Sequence, residues 1–260
     1  MRESSKQEGI FLQVNNISKG YSVEESVLRD ITLNLEKGES LGLVGKSGAG
    51  KSTLAKIITR LIKPDTGFVY WEGKDVFRLT KEELTSFQRK VQYIPQDSSS
   101  ALNPRFTAEE ALLEPLEIHK VLDRTKRGGL IKTLATQVGL SSQHLTKRPH
   151  ELSGGQRQRV VIARALALAP ELLICDEPFS ALDLNLQAQL VNLFQDLQRT
   201  NGITYLLISH DIALVRYLCS RVGVMHEGQI IEHTSVDEFI LNPQKAYSKA
   251  LMEASRQVAP

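Results

Sequence analysis

The amino-acid sequence predicts an α/β fold with a mostly parallel β-sheet. Short apolar strand-like runs alternate with helical runs in the second half of the chain, and an apolar run, a glycine-rich loop and a helix follow one another near residue 45. Such alternation favours a parallel sheet with helices packed on it. Strand-like runs are missing from residue 107 to residue 171. This stretch therefore indicates a helical subdomain inserted into the α/β core.

The predicted elements follow from apolar spacing and from helix and turn signals. Strands are expected at residues 11–17, 27–35, 40–44, 172–175 and 203–209. Helices are expected at residues 53–62, within 107–138, and at 155–168, 184–198 and 247–254. A hairpin is expected around Glu227 and Gly228. The first two strands make the start of the chain β-rich.

Composition excludes several classes of protein. The 32 basic and 30 acidic residues leave a net charge of +2, so a nucleic-acid surface is not expected. The two cysteines, Cys175 and Cys219, have no metal-binding spacing, and Cys175 lies in an apolar run that favours a buried free thiol. Residues 1–9 lack the apolar core of a secretory signal, and charges and a proline interrupt the most apolar stretch, 160–175. A cytoplasmic chain without a membrane span is expected.

The glycine-rich loop fits a phosphate-binding pattern. Residues 45–52 read GKSGAGKS, which matches GxxxxGK[ST] between a predicted strand and a predicted helix. Its glycines allow backbone N–H groups to face phosphate oxygens, and Lys51 and Ser52 are placed to meet phosphate and Mg²⁺. A plain glycine-rich turn is the alternative. A dinucleotide fingerprint fits less well, because Thr53 occupies its third small position.

An apolar strand ends in two adjacent carboxylates, Asp176 and Glu177. A buried strand with a solvated acidic end would explain them without any chemistry. After a phosphate loop, however, a carboxylate at the end of a neighbouring strand is the type of group that holds Mg²⁺. A second carboxylate beside it can accept a proton from water. Asp176 is therefore the expected metal ligand and Glu177 the expected general base.

A third motif, LSGGQ at residues 152–156, stands at the start of the helix predicted at 155–168. Ser153 and the two glycines at a helix N-terminus form an anion site through exposed N–H groups and the helix dipole. An ordinary helix cap explains Ser153 but not the whole string.

In their order along the chain, these motifs resemble the ATP-binding cassette subunit of ABC transporters, and the resemblance covers nearly all 260 residues. It implies a P-loop NTPase core, an N-terminal antiparallel β subdomain and an inserted helical subdomain. It also implies a single domain, with the core and β subdomain in 1–96 and 156–233, the helical subdomain in 97–155 and a C-terminal helical tail in 234–260.

The resemblance assigns a role to each motif position. Glu177, Gln96 and the switch histidine His210 are the implied catalytic residues, and Ser52, Gln96 and Asp176 the implied Mg²⁺ ligands. The implied ATP-binding residues are Tyr21, which stacks on adenine, Gly45, Lys46, Ser47, Gly48, Ala49, Gly50, Lys51, Ser52, Thr53, Ser153, Gly154, Gly155 and Gln156. Two cassettes close head to tail in this family, so Ser153 would contact ATP bound to the other cassette.

Residues 96–105, QDSSSALNPR, resemble the corresponding segment of the oligopeptide, dipeptide and nickel importer subfamily. The implied function is ATP hydrolysis that energises uptake of peptides or of nickel and metal chelates. The implied partners are two transmembrane permease subunits, a second ATPase subunit and, indirectly, an extracytoplasmic substrate-binding protein. A heterodimer of ATPase subunits is expected and a homodimer stays open. The chain would lie peripherally on the cytoplasmic face of the membrane.

Two other classes share these motifs. A soluble ABC ATPase of DNA repair or translation would usually carry two cassettes or a long coiled coil, and neither is visible in the sequence. An exporter half would often have a fused membrane domain, which is also not visible. An import ATPase is therefore the favoured interpretation.

Overall fold

The structure, a computed structural model, describes residues 10–21 and 26–258, with side chains up to residue 255. Residues 1–9, on which the prediction about a secretory signal depends, lie outside this range. The strands are β1 Ile10–Gly20, β2 Ser26–Glu36, β3 Ser40–Val44, β4 Thr66–Trp71, β5 Lys74–Asp75, β6 Val91–Ile94, β7 Leu172–Asp176, β8 Thr204–Ile208, β9 Arg221–His226 and β10 Gln229–Ser235. The helices are α1 Lys51–Ile58, α2 Lys81–Lys90, α3 Ala108–Ile118, α4 Arg124–Gln137, α5 Ser142–Leu145, α6 Gly154–Leu166, α7 Leu184–Asn201, α8 Ile212–Leu218, α9 Val236–Leu241 and α10 Ala246–Val258.

The described residues form two compact units, which fall within Met1–Leu84 and Thr204–Pro260 for the first and within Thr85–Ile203 for the second. In the first unit, β1 pairs antiparallel with β2 and β4, and β4 with β5, which gives the expected antiparallel β subdomain. A second group of strands has β3 at its centre, parallel to both β8 and β9. All five residues of β3 are buried. A strand that is buried on both faces has an almost continuous apolar sequence, and β3 has such a sequence after Ser40.

The hairpin predicted around Glu227 and Gly228 joins β9 to β10. Both turn residues have positive φ, 46° and 76°. This conformation suits the right-handed twist of the paired strands.

The second unit contains the parallel pair β6 and β7 and the helices α3 to α7. No strand lies between Ile94 and Leu172, which confirms the predicted helical insertion. Its helices bury apolar faces, with Leu112, Leu116, Ile131 and Ile162 fully inaccessible. The rings of Phe179 and Phe194 pack edge to face at 5.3 Å between centroids. The finer subdivision of the chain at 96/97, 155/156 and 233/234 stays a prediction.

Candidate functional site

The glycine-rich loop, residues 45–52, follows β3 and runs into α1 in the first unit. Gly45, Gly48 and Gly50 have φ values of 152°, 82° and 98°, which side chains rarely permit. A Cβ atom at Gly45 would lie 2.1 Å from the carbonyl oxygen of Met225, and one at Gly50 would lie 2.7 Å from that of Val27. Packing as well as backbone conformation therefore requires glycine at positions 45 and 50.

The first turn of α1 supplies the donors expected of a phosphate site. Its N-cap residue, Gly50, has no side chain with which to cap the helix. The leading N–H groups of a helix lack acceptors within it and carry the positive end of the helix dipole, which favours a phosphate group. The Ser52 hydroxyl belongs to the same turn. This donor set fits a nucleotide phosphate.

Lys51 is buried at the loop, with 7% of its surface exposed. Its Nζ donates hydrogen bonds to the carbonyl oxygens of Gly45, at 2.7 Å, and Lys46, at 2.9 Å. These contacts hold the ammonium group against the phosphate loop.

In the second unit, β7 delivers Asp176 to its carboxyl end, where only 2% of the residue is exposed. The hydroxyl of Tyr93, on the neighbouring strand β6, donates a hydrogen bond to Oδ2 of Asp176 at 3.1 Å. Burial, the Asp176 charge and this hydrogen bond together raise the pKa of Tyr93 far above its ordinary value. Tyr93 therefore stays protonated and orients the Asp176 carboxylate. Tyr93 belongs to no motif that the sequence reveals.

Glu177 follows Asp176 with a φ of 52°, an uncommon backbone conformation for a residue with a side chain. Its carbonyl oxygen accepts hydrogen bonds from the backbone N–H of Ser180 at 3.3 Å and from the Ser180 hydroxyl at 3.1 Å. The turn formed in this way ends the strand directly after the two carboxylates. Left-handed backbone at a non-glycine residue is often found at functional positions.

The LSGGQ motif begins α6 in the second unit. Ser153 is its N-cap, accepting the N–H of Gln156 at 3.2 Å, while Oε1 of Gln156 accepts the N–H of Ser153 at 2.9 Å. Gln156 Nε2 also lies 3.1 Å from Nε2 of His144. The motif thus includes a full capping box, which by itself is a structural role. A serine hydroxyl retains one O–H donor beyond the bond that it accepts.

Gly155 lies where the start of α6 meets the segment after Glu177. A Cβ atom at this position would be 3.1 Å from the carbonyl oxygen of Ala181 and 3.3 Å from Cδ2 of Leu182. The second glycine of the motif therefore allows the helix start to approach the turn that follows the carboxylates.

Thr53 lies in the first turn of α1, whereas the remaining predicted site residues lie on loops. Tyr21, 61% exposed, follows β1, and the exposed His210 follows β8, both in the first unit. Gln96 is exposed just after β6 in the second unit. The first unit therefore carries the phosphate loop, Tyr21 and His210, and the second carries Gln96, the LSGGQ motif and the carboxylates.

Each unit contains a predicted oxygen ligand of the type that Mg²⁺ uses in proteins. Among residues 10–21 and 26–258, no group of three or more His, Cys, Asp or Glu side chains is arranged to hold a metal ion. Mg²⁺ typically uses one or two protein oxygens together with waters and phosphate oxygens. Asp176 in the second unit is a carboxylate of this kind, and Ser52 in the first unit carries a hydroxyl of this kind.

Comparison with known proteins agrees with these motifs. The ABC transporter family matches residues 28–180. The oligopeptide transport ATP-binding protein OppF of Streptococcus mutans is 41% identical over 254 residues, covering 96% of this chain and 82% of that protein. OppF of Bacillus subtilis is 46% identical over 228 residues, covering 86% and 74%. Over the part of the chain that the structure describes, no helix is long and apolar enough to cross a bilayer.

Solved structures share the fold. The ATP-binding cassette MJ0796, in a dimeric post-hydrolysis state with ADP and Pi bound, has a TM-score of 0.81 at 31% identity and covers 86% of this chain and 98% of that one. The cbiO1 protein of Clostridium perfringens, part of the ABC transporter complex cbiONQ, has a TM-score of 0.76 at 26% identity, with coverages of 90% and 92%. Because the family match spans residues 28–180 and both OppF proteins match most of this sequence, the chain belongs to the ABC transporter family, as an ATP-binding and ATP-hydrolysing subunit.

Proposed function

We propose that this chain energises the import of peptides through separate permease subunits, using Glu177 as the general base of ATP hydrolysis. The two carboxylates at the end of β7 carry the chemical part of this proposal. Asp176 is buried and oriented by Tyr93, and Glu177 follows it on left-handed backbone. Two adjacent carboxylates can thus divide metal binding and proton acceptance between them.

The phosphate loop is the proposed binding site for the ATP phosphates. Backbone N–H groups of the loop and of the first turn of α1 donate to phosphate oxygens, and Lys51 contributes positive charge. Tyr21, exposed after β1, is proposed to stack on the adenine ring. Gln96 and His210 are proposed to help position the attacking water and the γ-phosphate.

Mg²⁺, when bound with ATP, would offset negative charge on the phosphate oxygens, and Ser52, Gln96 and Asp176 are the residues that would hold it. Glu177 would then accept the proton of the attacking water. This step requires an ionised carboxylate, and a glutamine in the same place cannot perform it.

The cargo and the partners follow from the relatives. Both OppF proteins are named for oligopeptide transport, and neither name mentions a metal, so peptides are the proposed cargo class and nickel is not part of the proposal. The alternative, a non-transport ABC ATPase, is not favoured by these names. We propose two permease subunits and a second cassette as partners, a heterodimer of cassettes, and a position on the cytoplasmic face of the membrane.

Glu177→Gln tests the chemical step. The change keeps the shape of the side chain but removes proton acceptance, so ATP turnover by the assembled transporter should fall about 10²- to 10⁴-fold. Binding of Mg-ATP, measured by calorimetric titration of the full chain, should stay within about twofold of the wild type, because no phosphate donor is lost.

Glu171→Gln is the matched control. Glu171 stands directly before β7, at the end of the strand away from Asp176, and forms a partly exposed ion pair with Lys90. Its turnover should remain near that of the wild type, because such pairs contribute little. Wild-type turnover in Glu177→Gln would refute the general-base assignment.

Uptake of a labelled peptide by vesicles containing the complete complex tests the cargo class. Vesicles that hydrolyse ATP without accumulating any peptide would contradict the proposal that peptides are the cargo.

A further inference from the structure

The beginning of α10 contacts the phosphate loop within the first unit. The hydroxyl oxygen of Tyr247 accepts a hydrogen bond from the backbone N–H of Lys46 at 3.0 Å, across 201 positions of sequence. Lys46 is the second residue of the loop. The C-terminal tail thus reaches the loop through one side chain.

The Lys46 N–H belongs to the peptide group that joins Gly45 to Lys46. The carbonyl oxygen of the same peptide group accepts the 2.7 Å hydrogen bond from Lys51 Nζ. A planar peptide group that is bonded at both ends can rotate only if both hydrogen bonds break. Tyr247 and Lys51 together therefore fix the orientation of this part of the loop.

Tyr247 is itself held in place. Its ring stacks on that of His226, with 4.0 Å between centroids and 22° between planes. His226 follows Met225, whose carbonyl oxygen borders Gly45. The Glu232 carboxylate accepts the N–H groups of Gln244 at 2.9 Å and Lys245 at 3.1 Å, directly before α10. The β9–β10 hairpin therefore fixes both the tail and the ring that reaches the loop.

We propose that Tyr247 is a positioning residue for the phosphate loop, through which docking of the C-terminal tail and nucleotide binding strengthen each other. When Lys51 donates a hydrogen bond to a phosphate, its bond to the carbonyl oxygen of Gly45 is weakened or lost. The hydrogen bond from the Lys46 N–H to Tyr247 then keeps this peptide group in its orientation. Coupling of this kind is reciprocal, so nucleotide must also stabilise the docked tail. This inference rests on the proposed binding of ATP at the loop.

Tyr247→Phe in the full chain tests it, because the change removes the acceptor and keeps the ring. The affinity for a non-hydrolysable Mg-ATP analogue, measured by calorimetric titration, should fall about 3- to 10-fold, the range expected for the loss of one net hydrogen bond. In the assembled transporter, KM for ATP should rise by a similar factor while kcat changes by less than about twofold. Tyr70→Phe is the matched control, since Tyr70 lies on β4 with its ring stacked on Phe68. The control should retain wild-type affinity.

Hydrogen exchange provides a readout that a merely structural role would not change. In the wild type, the analogue should slow amide exchange at Lys46 and along α10, and in Tyr247→Phe this nucleotide-dependent protection of α10 should be lost. Wild-type affinity and unaltered protection in Tyr247→Phe would overturn the inference, as would an equal loss of affinity in Tyr70→Phe. A wild-type chain that binds no nucleotide would instead overturn the proposed function.

Discussion

Lys51 is buried, although lysine is almost never fully buried without partners. The carbonyl oxygens of Gly45 and Lys46 satisfy two of its three ammonium donors. A lysine carries a compact charge that interacts strongly with phosphate. The side chain is thus held where the proposed nucleotide phosphates would meet it.

Lys51→Ala should lower the affinity for Mg-ATP about tenfold or more, because a charge-assisted hydrogen bond to phosphate is lost. Lys56→Ala, a change at an exposed lysine one turn further along α1, is the control and should bind as the wild type does. Calorimetric titration of both full-length variants measures the difference. Equal affinities would contradict the role given to Lys51.

The residues named by motifs were predictable from the sequence, whereas their supporting residues were not. Asp176 and Glu177 were identified because two carboxylates follow an apolar run. Tyr93 was missed because it supports Asp176 through pairing of β6 with β7, which local sequence does not reveal.

At the scale of elements, strong local patterns predicted well. The apolar runs of β3 and β7 and the helical spacing of α7 gave their positions to within three residues. Helix α1 ends at Ile58 rather than at residue 62, because Arg60 adopts a φ of 62°, which lies outside the right-handed helical region. Local patterns did not predict β4 and β6, which pair with the distant strands β1 and β7, or β5, which has only two residues.

The docking of α10 depends on the carboxylate of Glu232. Burial tends to raise the pKa of this group, but the hydrogen bonds from the backbone N–H groups of Gln244 and Lys245 help to outweigh it and bring the pKa below its ordinary value of 4.5. Since the folded-state pKa is the lower one, the charged group stabilises the fold above pH 4.5. This stabilisation is lost as the pH falls through the folded-state pKa.

Glu232→Gln should lower the free energy of unfolding by about 1–3 kcal/mol at pH 7. Each carboxylate oxygen of Glu232 accepts one backbone N–H, and in glutamine an N–H₂ group that cannot accept replaces one of these oxygens. Glu253→Gln, on the exposed side of α10, should change it by less than about 0.5 kcal/mol. Urea unfolding between pH 7 and pH 3 checks both variants. The difference between wild type and Glu232→Gln should shrink below pH 4.5, and a difference that does not depend on pH would contradict this account.

At the scale of the whole molecule, the motif set is divided between the two units. The phosphate loop lies in the first, whereas the LSGGQ motif and the carboxylates lie in the second. Sequence order could predict membership of the ABC transporter family because each motif is short and local. It could not predict the division at Leu84 and Ile203, which depends on contacts between distant parts of the chain. The relative MJ0796 is a dimer in its post-hydrolysis state.

Ser153→Arg tests whether the LSGGQ motif acts on a second cassette. If Ser153 donates to a phosphate bound by the partner cassette, turnover of the assembled pair should fall about 10²-fold or more, because a bulky side chain would replace that donor. Binding of Mg-ATP to the separate chain should be unchanged, since its own phosphate loop is intact. The light-scattering mass should show less ATP-dependent dimer than in the wild type.

Ser235→Arg separates this effect from simple loss of a helix cap. Ser235 caps α9 as Ser153 caps α6, each accepting a backbone N–H at 3.2 Å, and both serines are exposed. The two variants should therefore lose a similar amount of stability, about 1 kcal/mol. A fall in turnover that occurs only in Ser153→Arg cannot result from loss of the helix cap. Such a fall would support contact between Ser153 and the nucleotide bound to the partner cassette. Equal turnover in both variants would leave Ser153 with the cap as its function.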